Sequence, residues 1–312
     1  VFSGVSKSYE EIEKAINSEI LSINIESVGE YERVEEISRR LNKTVNCALR
    51  FNPDISIGSH KYIRTGSKNS KFGLDEKSIY KISKLSKECS LVKISAVACH
   101  IGSQISDEDL ILKSLKCIKD VAGKLEQDGH KIDFLDIGGG LGISYRNENA
   151  GDPKILLSKV KSMLGDSNYK IVLEPGRSIV GTSGILVSKI EYIKDAGEKK
   201  FAIIDAGMND LIRPSLYEAW HAVKELEEKD LDIQTYDLAG PVCETGDVLA
   251  KDRDLKVMPG DYIAFMDVGA YGSVMSSNYN SRLRPIELLV ADDKVKIIKR
   301  KESFEDMIAL ES

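Results

Sequence analysis

The chain divides by its hydrophobic pattern into two parts. Up to about residue 180, short apolar runs alternate with stretches in which apolar residues recur every three or four positions. VFSGV, LSINIES, VNCALRFNP, VKISAVACHIGS, IDFLDIGGG and YKIVLEPG each predict a strand. The intervening segments carry helical faces: Ile12, Ala15 and Ile16; Val34, Ile37 and Leu41; Ile79, Ile82, Leu85 and Cys89; Ile111, Leu115, Ile118 and Leu125; Val160 and Met163. Ser8 and Glu11 have capping-box spacing at the start of the first helix. Near-continuous apolar strands joined by helical crossovers belong to a parallel sheet covered on both faces. These six strands predict a (β/α)8 TIM-type barrel, with two further βα units expected upstream of Val1. A polar loop is expected from Asp54 to Lys71.

After about Gly181 the period shortens. GILVSKIEYIKDA, KKFAIIDAG, IQTYDLAGPVCETGDVLA, DYIAFMDVGAYG and IELLVADDKVKIIKR are strand-like runs broken by turn residues, with one short helix expected near Tyr217 to Leu226. The division predicts a barrel over residues 1–180 and a C-terminal, mainly antiparallel β domain over residues 181–312.

Composition narrows the function. The 312 residues carry a formal net charge of −6, with both signs interspersed, so no nucleic-acid footprint or membrane-binding stripe stands out. No uniformly apolar span is long enough for a membrane helix. Five cysteines (Cys47, Cys89, Cys99, Cys117, Cys243), odd in number and without C-x-x-C spacing, argue for a reducing, cytoplasmic setting. His60, His100, His130 and His221 show no metal-ligand spacing, and no metal is expected.

The chemistry-bearing residues cluster where the first six strands end: Arg50-Phe51-Asn52, His100, Gly138 to Gly140, and Glu174. The glycines of LDIGGGLGISY fail the dinucleotide fingerprint, which would need a glycine at Ile143 or Tyr145. A phosphate cradle of bare amides and a tight strand-to-helix turn both remain open. In LEPGRS, a carboxylate at a buried strand end requires a partner. That partner is either a barrel Lys or Arg, or a protonated heterocyclic nitrogen with Gly176 and Arg177 beside a phosphate. His100 alone reads first as a hydrogen-bonded core residue. Ser103 serves either as a helix N-cap or as a phosphate donor. Cys243, between Val242 and Glu244, and Tyr271, in DVGAYGS, are individually compatible with structural roles. Arg213, in NDLIRPSLY, reads as a surface residue.

Taken together, LRFNPD, TGSKNSKFG, HIGSQI, LDIGGGLG, LEPGRS, DAGMNDLIRPSLY, GPVCETGD, DVGAYGSVMSSNYNSRLRP and ELLV resemble the fold-type III pyridoxal-phosphate decarboxylases, in particular those acting on diaminopimelate. The resemblance runs in family order over almost the whole chain. It implies a barrel plus β domain, pyridoxal 5'-phosphate as cofactor, and decarboxylation of meso-2,6-diaminopimelate to L-lysine, the last step of lysine biosynthesis. It also implies roles. Gly139, Gly140, Pro175, Gly176 and Arg177 would surround the cofactor phosphate, with Ser103 and Tyr271. His100 would stack on the pyridine ring, and Glu174 would bond its nitrogen and favour the pyridinium electron sink. Arg177, Arg213 and Tyr217 would meet the substrate's distal carboxylate, Glu244 would pair with its distal ammonium, and Tyr271 would also bind substrate. Cys243 would protonate the decarboxylated carbon from the partner subunit of a homodimer with shared sites. The family's Schiff-base lysine belongs to a motif upstream of VFSGVSKS, and Lys7, Lys61, Lys68 and Lys71 do not lie in it, so none is assigned. Two other readings compete. An ornithine or arginine decarboxylase would have no use for Arg213, and a catalytically silent, partner-binding homologue would have lost the cofactor contacts.

Overall fold

A computed structural model describes residues 1–55, 66, 70–148 and 150–311. It divides into two compact units, Val1–Ile143 with Asn149–Ser178, and Ser144–Glu148 with Ile179–Ser312.

In the first unit the chain alternates helix and strand. Helix α1 (Tyr9–Asn17) starts at the expected capping box: the Ser8 hydroxyl accepts from the Glu11 amide and the Glu11 carboxylate accepts from the Ser8 amide. There follow β1 (Ile23–Ile25), α2 (Val28–Leu41), β2 (Val45–Arg50), α3 (Glu76–Lys87), β3 (Val92–Ala98), α4 (Glu108–Gln127), β4 (Phe134–Asp136), α5 (Pro153–Leu164) and β5 (Lys170–Val172). The five strands pair in sequence order, every pair parallel, with a helix between each and the next. This is the wall of a β/α barrel. Its core sets Ile23, Ile25, Leu49 and Leu135 from the strands against Val34, Ile82 and Leu115 from the helices. Each such side chain contributes about 1.5–3 kcal/mol by leaving water.

One expectation needs correction here. VFSGV is not a strand: only Phe2 bridges to Ile23, through Phe2 N–H to Ser22 O (2.9 Å) and Asn24 N–H to Phe2 O (3.0 Å). Gly4 at φ 106 and Ser6 at φ 63 turn the backbone out of the extended region, which ends the ladder after one residue. Of the expected loop, residues 56–65 and 67–69 lie outside the described residues, with His60, Lys61, Lys68 and much of TGSKNSKFG among them.

Helix α6 (Arg177–Val180) leads on to the β-rich part of the chain. The second unit contains β6 (Leu186–Asp195), β7 (Lys200–Ile204), α7 (Arg213–Tyr217), β8 (Val223–Glu225), β9 (Gln234–Ala239), β10 (Val248–Leu255), β11 (Tyr262–Phe265), β12 (Glu287–Ala291), β13 (Lys294–Lys299) and α8 (Phe304–Met307). One sheet runs β10-β9-β7-β6-β11-β8, antiparallel except where β7 meets β9, and β12 and β13 form a separate hairpin. Ile190, Ile204, Leu238, Leu249, Ile263 and Phe265 form its core. The helix expected over 217–226 ends instead at Tyr217, where Glu218 at φ 53 closes it, and Val223–Glu225 pair with β11. Sheet pairing across sequence overrides the local helical signal there. The run IQTYDLAGPVCETGDVLA is two strands, β9 and β10, around a turn that carries Cys243.

Candidate active site

The carboxyl ends of β1 to β5 bring polar groups around a cavity of about 350 Å³, whose lining includes Ser3, Asn24, Arg50, His100, Asp136 and Glu174. The glycine run explains how the loops come so close. A Cβ on Gly138 (φ +67) would stand 2.6 Å from the Cys99 carbonyl oxygen. On Gly139 it would stand 2.1 Å from that of Glu174, and on Gly140 (φ +98) 2.2 Å from that of Gly102. What approaches these glycines is therefore backbone: the segments following β3, β4 and β5 are packed main chain against main chain.

That packing fixes His100. The Gly139 amide donates to its Nδ1 at 3.2 Å, so the hydrogen of the neutral ring sits on Nε2. Burial, with the Arg50 guanidinium adding to it, lowers the imidazole pKa to about 4, and the ring is neutral at neutral pH. Arg50 donates to the His100 carbonyl (3.4 Å), lies over the Phe72 ring (4.9 Å) and forms a buried ion pair with Glu26. Glu26 also accepts from the Gly73 amide at 2.8 Å.

A second network runs across the cavity. Asp136 accepts from the Gly138 amide (2.9 Å) and from Asn24 Nδ2 (3.1 Å). Asn24 also donates to Ser3 Oγ (2.9 Å), and the Ser3 hydroxyl donates to Glu174. Burial, then the charge of Glu174, raises the Asp136 pKa to about 6. Among the described residues the partner of the Glu174 carboxylate is the Ser3 hydroxyl, with no Lys or Arg ion pair. Ser3, Asn24 and Asp136 were not singled out from sequence. Only the polar residue closing the FLD strand, just before the glycines, hinted at one of them.

Arg177 is buried and its Nη2 donates to Ser103 Oγ at 3.1 Å, joining the segments after β3 and β5. Ser103 is not a helix cap; Asp107 caps α4, accepting from the Asp109 amide. Gly176, beside the exposed Pro175, has open space where a Cβ would stand. A buried guanidinium, a hydroxyl and the amides of these glycine turns make a donor set suited to a phosphate. The neutral imidazole and the carboxylate lining the cavity suit a planar, protonated heterocycle. The residues present fit pyridoxal phosphate.

The second unit holds the other candidates. Arg213 is buried at 6% exposure, not superficial as its sequence context suggests. Its Nη1 lies 2.7 Å from His221 Nε2 and its guanidinium stacks over Tyr145 at 4.6 Å. His221 Nδ1 is 2.8 Å from the Met266 carbonyl oxygen, and the Tyr145 and His221 rings meet edge to face at 5.3 Å. Tyr217 ends the same short helix, one turn beyond Arg213. Cys243 and Glu244 are exposed in the β9–β10 turn, where Glu244 accepts from the Tyr279 hydroxyl. Tyr271 has φ 59, a left-handed conformation rare for a bulky side chain. It sits between Gly269 and Gly272, whose added Cβ atoms would stand 1.9 Å from the Val180 and 2.4 Å from the Val268 carbonyl oxygens. Among the described residues no His, Cys, Asp and Glu group could hold a metal, and no helix is long and apolar enough to cross a membrane.

Residues 1–181 match the family described as pyridoxal-dependent decarboxylase, pyridoxal binding domain. The diaminopimelate decarboxylase of Aquifex aeolicus is 42% identical over 310 residues, covering 99% of this chain and 74% of that protein. That of Haemophilus influenzae is 42% identical over 317 residues, covering 100% and 76%. The crystal structure of the Helicobacter pylori diaminopimelate decarboxylase complexed with L-lysine superposes with a TM-score of 0.95 at 40% identity, covering 99% of this chain and 78% of that one.

Proposed function

Since the chain belongs to the pyridoxal-dependent decarboxylases, and among them to the diaminopimelate decarboxylases, we propose that it releases CO2 from meso-2,6-diaminopimelate to leave L-lysine, using the residues described above. The observation that carries the substrate is the 42% identity maintained over 99% of the chain.

Pyridoxal 5'-phosphate supplies a pyridinium ring that takes up the electron pair left when CO2 departs. Arg177 and Ser103, with the amides of Gly139, Gly140 and Gly176, hold the phosphate, and Tyr271 adds to them. Pro175 fixes the backbone that presents Gly176. His100 offers a neutral flat face, its ring held by the Gly139 amide. Glu174 keeps the proton on the ring nitrogen, and Ser3 and Asn24 hold that carboxylate in place. Arg213 and Tyr217, with Arg177, bind the distal carboxylate, Glu244 pairs with the distal ammonium, and Tyr271 also contacts the substrate. Cys243 delivers a proton to the decarboxylated carbon from the partner subunit of a homodimer. Residues 1–180 form the cofactor-binding part and 181–312 the β domain. A cytoplasmic setting is part of this reading, supported by five cysteines that are odd in number and lack C-x-x-C spacing.

Assaying CO2 release from diaminopimelate, lysine, ornithine and arginine tests the reading. Preference for diaminopimelate is expected, and preference for ornithine or arginine overturns it.

A further inference from the structure

We propose that His221 is a positioning residue: it aims Arg213 at the substrate's distal carboxylate without itself bringing a negative charge to the arginine. The proposal rests on the substrate-binding role given to Arg213 above. His221 is fully buried, so its ring must satisfy both nitrogens inside the protein. Nδ1 faces the Met266 carbonyl at 2.8 Å, an acceptor only, and therefore carries the hydrogen. Nε2 faces Arg213 Nη1 at 2.7 Å, a donor only, and is therefore bare. Two opposed hydrogen bonds thus fix one tautomer of a neutral ring. Tyr145 completes the clamp, covering the guanidinium at 4.6 Å and meeting the imidazole edge-on at 5.3 Å.

An aspartate or glutamate would orient an arginine equally well. It would also form an ion pair with it, in competition with the carboxylate of the substrate. An imidazole acceptor orients the fork without adding a negative charge to it.

The test compares His221→Gln, His221→Glu and His221→Leu in the full-length protein loaded with cofactor. KM and kcat for diaminopimelate and the competitive inhibition constant of lysine are measured, with thermal melting as the control for folding. Removing an acceptor from a charged group corresponds to roughly a ten- to hundredfold effect. His221→Leu is expected to raise KM and the lysine constant by that factor with kcat little changed. Glutamine keeps a neutral acceptor and is expected to recover most of the loss, whereas glutamate raises KM. If His221→Leu melts like wild type and keeps its KM, or if glutamine and glutamate give the same KM, the positioning role is overturned. Where the leucine variant does not fold, the glutamine–glutamate pair alone decides. Wild-type protein that fails to turn over diaminopimelate would overturn the substrate reading itself, an outcome separate from any of these.

Discussion

The Gly139 amide donates to His100 Nδ1, so a backbone group after β4 selects the tautomer of a ring after β3. Burial holds this imidazole at about 4, below the ordinary 6.5. Between those values the unfolded chain takes up a proton that the folded chain refuses, so stability rises with pH across the window and is lost as pH falls from 6.5 to 4. The full effect is about 3 kcal/mol. Asp136 acts oppositely: held at about 6 against 3.8, it keeps its proton in the folded state, and its contribution declines as pH rises through that interval. In cofactor-free protein, urea midpoints of His100→Gln should lose the acid-side decline and expose the opposite slope from Asp136. An unchanged profile would contradict the buried, neutral assignment of His100.

Gly139→Ala should lower stability by about 3 kcal/mol, because its methyl would meet the Glu174 carbonyl, a backbone atom that cannot rotate away. Gly176→Ala should keep the wild-type melting temperature, since nothing lies within 4 Å of its added methyl. Melting the two variants side by side separates glycines required by packing from a glycine facing open space.

Arg213→Ala should lose about 2–5 kcal/mol of transition-state stabilisation for diaminopimelate, on the order of a hundredfold or more in kcat/KM. The cofactor absorption band should persist, because Arg213 is not among the residues assigned to the phosphate. Arg213→Lys should rescue poorly, as an ammonium cannot reproduce the planar fork or its stack on Tyr145. Retained activity in the alanine variant would argue against this substrate.

Shared sites make a distinct prediction. Mixing inactive Cys243→Ala with inactive Arg177→Ala protein and allowing subunit exchange should restore partial activity through hybrid dimers. No recovery after exchange has been verified by native mass spectrometry would place both residues of a site on one chain.

Much of the fold was legible because its signals are local. The Ser8–Glu11 box, the helical faces and the apolar strands each depend on neighbours within a few residues. The two misread elements failed where one residue in the left-handed region, Ser6 or Glu218, redirected the chain. Site geometry was less accessible. Arg177 meets Ser103 across 74 positions of sequence, and Asn24 meets Asp136 across 112. No spacing rule reaches that far. Arg213 looked superficial because its burial comes from Tyr145 and His221, neither of which marks NDLIRPSLY itself. The resemblance of the assembled motifs implied roles for Ser103, Arg177 and Arg213, and none for Asn24, Asp136, Tyr145 or His221.

The imidazole that supports Arg213 also furnishes a spectroscopic probe. Its Nδ1 hydrogen is sealed from solvent and held by the Met266 carbonyl, so it should exchange slowly and give its own proton resonance, downfield of the amide envelope. The bare Nε2, in turn, has a nitrogen chemical shift that follows the strength of the bond it accepts from the guanidinium. On the role proposed for Arg213, a carboxylate arriving at the guanidinium is expected to shift that nitrogen resonance, which magnetic resonance on the unmodified protein would read.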